Sequence, residues 1–288
     1  MKNIEWDSYQ LFLAVARGGG LTGGAEASGL SPATLGRRML DLEQRLGAVL
    51  FERSQTGYRL TAEGQRLLAM LSDMEAAARQ VEAWRGGAGA GPLVRIACGT
   101  WNAWLIAENF GRLLGPRDDI RIEMTIAEQR AQLSHRENDI GLRAVEPEER
   151  NLAAQLVSEV AYAAYRARNA EAATGRWLAV TAEDAVSAYL RWPHQEHGAG
   201  IVATVTRARS LKDLAIAGAG MAVLPCFAGD LEPRLERVGG EIEELRHRQW
   251  IVMNVDDRHR REIRTVADRL RDLLRGHRDL FEGRSPRP

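Results

Sequence analysis

The chain has little from which to build a redox, secreted or membrane protein. It holds two cysteines, Cys98 and Cys226, and neither belongs to a closely spaced metal or redox motif. A structural disulfide is not expected in a reducing compartment. No apolar run approaches the ~20 residues that a membrane helix needs. The opening MKNIEWDSYQ is polar and acidic where a secretion signal would be basic and then apolar. A cytoplasmic chain without a membrane partner is the expectation. Lysine is nearly missing: Lys2 and Lys212 are the two lysines among 39 basic residues, so arginine does the cationic work. Formal net charge is +0. That excludes indiscriminate coating of nucleic acid but not a local site. Residues 1–60 carry seven Lys/Arg against six Asp/Glu, so nucleic-acid binding has to be argued from placement. There is no nucleophile elbow, phosphate loop or dinucleotide fingerprint, and neither catalysis nor a cofactor is expected. His194-Gln195-Glu196-His197 is the one clustered histidine pair. Behind Trp192-Pro193 it reads as a solvated loop, not a metal site.

What is present begins with LSPATLGRRMLDLE, residues 30–43. Ser31 can cap a helix and Pro32 suits its first position. Leu35, Met39 and Leu42 then form one apolar stripe. Ala33 and Arg37 point away from that stripe, flanked by Thr34 and Gly36, with Arg38 oblique. A small, arginine-bearing face can approach base edges and grip guanine or phosphate. Upstream, Trp6 to Arg17 is helical by periodicity, with Asp7 or Ser8 as cap. Gly18-Gly19-Gly20 stops it, and Thr22 can cap a short second helix. Two helices across the Ser28-Gly29 turn make a helix-turn-helix. Val49–Arg53 and Tyr58–Leu60 are short strands around a turn, a β-hairpin wing. Thr61 can cap one long helix from Ala62 to Trp84. On it Leu67, Leu71, Met74, Ala78 and Val81 are spaced as a dimerisation seam. The alternative is a helix packed on its own domain. Residues 86–92 are glycine-rich and read as a hinge.

Beyond Pro92 short strands alternate with helices, which implies α/β architecture with a largely parallel sheet. Strands are expected at 93–98, 120–126, 139–143, 160–165, 177–180, 201–205, 221–224 and 250–255. Helices are expected at 182–191, 211–218 and 259–275, the last with Ile263, Val266, Leu270 and Leu273 inward. The tail from Gly283 is expected to be disordered.

The N-terminal pattern is specific as a set. It runs Phe12-x2-Val15, Gly20-Leu21-Thr22-x2-Ala25, Leu30-Ser31, Arg37-Arg38, Leu42-Glu43-x2-Leu46-Gly47-x2-Leu50-Phe51-x-Arg53, then Leu60-Thr61-x2-Gly64. It resembles the DNA-binding domain of the LysR-type transcriptional regulators over residues 5–67. Asp139 to Arg143 and Ala217 to Pro225 resemble that family's sensor domain more loosely. The resemblance implies a winged helix-turn-helix over 1–61, a dimerisation helix over 62–85, and a sensor over 93–288. The sensor would be built like a type 2 periplasmic-binding protein. One lobe would span about 93–165 and 251–288 and the other about 166–250, with crossings near Tyr165 and Trp250. It further implies double-stranded promoter DNA, a small-molecule effector, a homodimer or homotetramer, and RNA polymerase as partner of an activator. Serine is usual in the family at Gly20 and Gly36, and alanine at Gly23 and Gly24. Glycine weakens a helix by about 1 kcal/mol against alanine.

For DNA the candidates are Thr22, Ser31, Ala33, Thr34, Arg37, Arg38, Arg53, Tyr58 and Arg59. Arg37 is the base reader, while Arg38, Arg53 and Arg59 hold phosphate. Arg45 pairs with Glu43 or another carboxylate. For the effector, strand ends in an open α/β sheet single out Thr100, Trp101, Asn102, Glu128, Arg143, Thr204, Thr206 and Cys226. Free backbone N–H groups at Thr100 suit an anion, Trp101 suits a ring or, equally, a core or lobe contact, and Arg143 suits a carboxylate or, more often, a structural salt bridge, so a small organic acid is the expected effector. Cys98 and Cys226 near the cleft raise a redox switch, set against their more usual role as buried small hydrophobes. A transport-type solute-binding protein and an α/β enzyme are the competing functions.

Overall fold

The computed structural model describes residues 4–54, 57–85, 91–126, 128, 138–149, 151–168 and 170–284. It divides into an N-terminal and a C-terminal compact unit. Most of the expected hinge and the last four residues of the tail lie outside the described residues.

The N-terminal unit is built from α1 (Trp6–Arg17), α2 (Leu21–Ser28), α3 (Pro32–Leu46), β1 (Phe51–Ser54), β2 (Gly57–Leu60) and α4 (Ala62–Arg85). Helix α3 starts as its sequence dictates. The Ser31 hydroxyl accepts the Thr34 N–H at 3.2 Å, Pro32 occupies the first turn, and Gly47 ends the helix at φ 66°. Leu35, Met39 and Leu42 are buried against Phe12, Leu13 and Val15 of α1. Two caps differ from expectation. Neither Asp7 nor Ser8 caps α1, whose N-cap is Glu5. Thr22 lies inside α2, because Gly20 at φ 146°, a left-handed value that favours glycine, provides the entry. The wing pairs Phe51 with Leu60 and Arg53 with Tyr58. Its start is pinned by Glu43, which accepts the N–H groups of Leu50 at 2.8 Å and Phe51 at 3.1 Å. Arg45 pairs with Asp41 at 3.7 Å, one of the carboxylate roles expected of it. Thr61 caps α4 by accepting the Gly64 N–H at 3.0 Å.

The seam on α4 divides. Leu71 is buried together with Leu68 in the unit's own core, and Leu67 packs beside them. The first turns of α4 thus serve as a fourth helix of the domain. Met74 and Ala78 stay exposed, as does Met70, while the side chain of Val81 lies outside the described residues.

The C-terminal unit runs β3 (Leu93–Cys98), α5 (Thr100–Glu108), α6 (Phe110–Leu113), β4 (Arg121–Ile126), β5 (Ile140–Arg143), β6 (Leu152–Val160), β7 (Tyr162–Ala167), β8 (Trp177–Val180), α7 (Ala188–His197), β9 (Ile201–Val205), α8 (Arg209–Ile216), β10 (Ala222–Pro225), α9 (Cys226–Asp230), β11 (Leu235–Glu241), β12 (His247–Asn254), α10 (Arg261–Gly276) and α11 (Arg278–Phe281). One sheet has the order β4-β3-β5-β12-β6, and β10-β7-β11 and β8-β9 form two smaller sheets. The architecture is α/β, but the large sheet is mixed rather than largely parallel. Strands β4, β3 and β5 are parallel, and β12 runs antiparallel to both β5 and β6. The chain leaves the large sheet at Ala161 and returns through residues 242–246, so its crossings precede Tyr165 and Trp250. The apolar run 160–165 carries no turn residue to mark that change. Strands β6 and β11 have no counterpart in the sequence reading: β6 exposes Ala154, Gln155 and Leu156 mid-strand without strict alternation, and β11 is charged and glycine-bearing. Helix α7 starts at Ala188 and extends through Pro193 to His197, so the histidine pair is helical, not in a loop. Helix α10 buries Ile263, Val266, Leu270 and Leu273 as its periodicity requires.

Candidate functional site

The N-terminal unit presents one small, cationic face. Thr22, Ser31, Ala33, Thr34, Arg37, Arg38 and Arg59 are exposed. Arg37, Arg38 and Arg59 take part in no ion pair among the described residues. The Ser31 and Thr34 hydroxyls lie 2.9 Å apart, so the start of α3 is a fixed polar edge. Tyr58 is half-buried, its ring against Phe51 at 5.5 Å, which sets the wing beside α3. Arg53 lies on β1, with its side chain outside the described residues.

The C-terminal unit holds a cavity of about 440 Å³. One wall comes from Cys98 and Gly99 at the end of β3, Asn102 on α5, and Gly141 to Arg143 on β5. The other comes from Tyr162 on β7, Ser187 to Tyr189 at the start of α7, and the turn into β12. Glu128 joins the walls: it accepts the Thr100 N–H at 3.1 Å and the Tyr189 hydroxyl at 3.2 Å. Tyr189 in turn stacks on Tyr162 at 5.0 Å. Arg143 is buried and pairs with Glu149 at 3.5 Å. His247 lines the floor, half-buried, and burial holds its imidazole below the usual histidine range.

Of the residues singled out in the sequence for an effector, the cavity brings together Asn102, Glu128 and Arg143. Thr100 and Trp101 line a neighbouring recess of about 50 Å³, where Trp101 is buried. Thr204 and Thr206 are exposed at the end of β9 and are not among the lining residues. Cys226 is fully buried at the start of α9, its N–H donated to Ala161 at 2.8 Å, and does not line the cavity either. The N–H at Thr100, expected to receive a ligand carboxylate, already donates to Glu128. Burial first, then the Glu128 charge, pushes the Cys98 thiol up to about 12. Burial likewise pushes Cys226 up to about 11. Burial and the raised pKa values work against thiolate chemistry at either cysteine. The two clustered histidines are engaged separately: His194 Nε2 lies 2.8 Å from the Val180 carbonyl and His197 stacks on Trp177 at 4.2 Å. Among the described residues no group of three or more His, Cys, Asp or Glu could hold a metal.

Residues 6–65 match the family model described as bacterial regulatory helix-turn-helix protein, lysR family. This segment is a LysR-type DNA-binding domain. The sequence matches none of the curated proteins. By structure, the chain is similar to ArgP from Mycobacterium tuberculosis, at 16% identity and TM-score 0.58, covering 95% of this chain and 98% of that one. LysG from Corynebacterium glutamicum, solved with bound effector Arg, matches at 14% identity and TM-score 0.58, with 94% and 98% covered. Full-length OxyR from Pseudomonas aeruginosa, a cysteine-to-aspartate variant, matches at 17% identity and TM-score 0.53, with 93% and 98% covered. The chain shares the fold of these three structures.

Two of the glycines that depart from the LysR-type pattern, Gly23 and Gly24, have a packing reason. A Cβ on Gly23 would lie 2.2 Å from the Gly18 carbonyl oxygen, and one on Gly24 would lie 2.8 Å from Val15 Cγ2. Helices α1 and α2 therefore approach more closely than alanine allows. Gly36 differs: a Cβ there would meet Leu21 Cδ1 at 3.4 Å, ordinary contact.

Sequence reasoning missed Tyr162, Ser187, Tyr189, His247 and Gln249 in the cavity wall. They come from the two crossings and from the start of α7, which periodicity placed six residues early. Ser187 ahead of Ala188-Tyr189-Leu190 was an available helix-start signal.

Proposed function

We propose that this protein is a LysR-type transcriptional regulator that reads promoter DNA with α3 and its wing, under control of a small molecule in the C-terminal cavity. The observation that carries the reading is the α3 face: Arg37 and Arg38, in no ion pair among the described residues, stand beside small residues on a helix capped and buried on its other side. Arg37 donates to base edges, and Arg38, Arg53 and Arg59 hold phosphates and set the register. A reading helix of this size suits a dyad-symmetric operator bound by two copies. The exposed methionines of α4, Met70 and Met74, are the apolar surface that a second copy would cover. The cavity has the size of a small-molecule site. That LysG, of the same fold, was solved with an effector supports assigning it that role.

The test is selection of binding sites from random duplex DNA by the full-length protein. Enrichment of a dyad-symmetric sequence, bound with an affinity that falls steeply with salt, is expected. A folded protein that enriches no sequence, with or without a cellular metabolite extract, would overturn the reading.

A further inference from the structure

The charge balance of the cavity identifies the ligand class, on the reading that the cavity is the effector site. Two arginines and two glutamates reach its lining. Both arginines are already neutralised. Arg143 pairs with Glu149 at 3.5 Å, and Arg246 is shared by Glu241, by Glu243 at 3.5 Å and by Glu159 at 3.7 Å. The two carboxylates are held by neutral donors instead. Glu128 takes a backbone N–H and a phenol, and Glu244 takes the Trp192 indole N–H at 2.8 Å. Neither has a cationic partner among the described residues.

One neutral group adds an acceptor of the same kind. The Arg143 carbonyl can only accept, so Gln249 presents its Nε2 there, at 3.1 Å. Its Oε1 then faces Asn102 and accepts from Nδ2 at 3.1 Å. This chain of amides fixes Asn102, and its Oδ1 is left buried without a hydrogen-bond partner. An unmet buried acceptor favours a ligand that brings a donor. The field is negative as well: Glu128 adds to burial in raising the Cys98 thiol and the Tyr162 and Tyr189 hydroxyls.

We propose that the ligand is a small organic cation, an amine or guanidinium on an apolar or aromatic body, with its N–H groups on Glu128 and its body against Tyr162 and Tyr189. An anionic ligand would have to displace the Glu128 carboxylate from Thr100 and then lie beside it. A cation completes the existing set, and the stacked tyrosines favour it further.

The experiment is calorimetric titration of the full-length protein with matched probes: phenethylamine against 3-phenylpropanoate, and agmatine against glutarate. The amines are expected to bind wild-type protein and the acids not. Glu128→Gln, which keeps an acceptor for Thr100, should bind the amines about tenfold more weakly or worse, and its unliganded melting temperature reports whether it folds. The charge preference of the wild-type protein decides the question even where that variant fails to fold. Acids binding in place of amines would overturn the cation while leaving the effector site standing. Equal amine binding by Glu128→Gln would overturn Glu128 as the anchor and with it the inference. No binding of either series would overturn both the inference and the assignment of the cavity.

Discussion

At the scale of residues, one amino-acid type has opposite consequences at different positions. Gly23 and Gly36 both stand in helices and both depart from the LysR-type pattern. Gly23→Ala puts a methyl 2.2 Å from the Gly18 carbonyl. Overpacking of that kind costs about 1–3 kcal/mol, more than the helix propensity it gains. Gly36→Ala meets only ordinary contact and should stabilise α3 by up to about 1 kcal/mol. Urea unfolding of the two variants separates these outcomes, and a Gly23→Ala protein as stable as wild type would contradict the close approach of α1 and α2. His247 sets a pH dependence. Burial keeps its imidazole neutral in the folded state, with a pKa below that of the unfolded chain. The unfolded chain takes up the proton first as pH falls, so stability from this group is full above about pH 6.5 and is lost below it. The slope is at most about 1.4 kcal/mol per pH unit. A His247→Gln protein should show a shallower fall as pH drops below about 6.5 in chemical denaturation. An unchanged slope would mean that another group carries it.

At the scale of elements, legibility followed side-chain chemistry. Helix α3 was readable because Ser31-Pro32 starts it, Gly47 stops it, and three apolar residues share one face. Ser31→Ala should cost about 1 kcal/mol of stability through the lost bond to the Thr34 N–H, measured by thermal unfolding. Helix α10 was readable for the same reasons of period. What sequence could not reveal was where one sheet ends and another begins. Residues 160–165 are uniformly apolar, so a single intervening residue, Ala161, separates β6 from β7 without any signal. The charged β11 looks like surface loop until its pairing with β7 is known. The cavity shares this property. Its strand-end residues Asn102, Glu128 and Arg143 follow a general rule of α/β sheets, whereas Tyr162 and His247 stand beside the crossings and depend on topology. No sequence signal marked that Glu128, distant in sequence from Thr100, occupies the anion position at the start of α5.

At the scale of the whole molecule, two domains of different chemistry are joined in one chain. Brief exposure of the native protein to dilute peroxide should leave Cys98 and Cys226 unmodified by mass spectrometry and DNA binding unchanged, since both are buried and protonated. Oxidation of either at a rate matching an exposed thiol would contradict this. In the proposed function α3 reads sequence and the wing positions it. The most direct measurement compares the sequence preference of wild type, Arg37→Ala and Arg59→Ala on the selected operator and its single-base variants. Arg37→Ala is expected to weaken binding by about 1–3 kcal/mol and to relax preference at one position in each half-site. Arg59→Ala is expected to weaken all sequences alike and to lower the salt slope by about one. A uniform loss from Arg37→Ala with sequence preference intact would contradict the account.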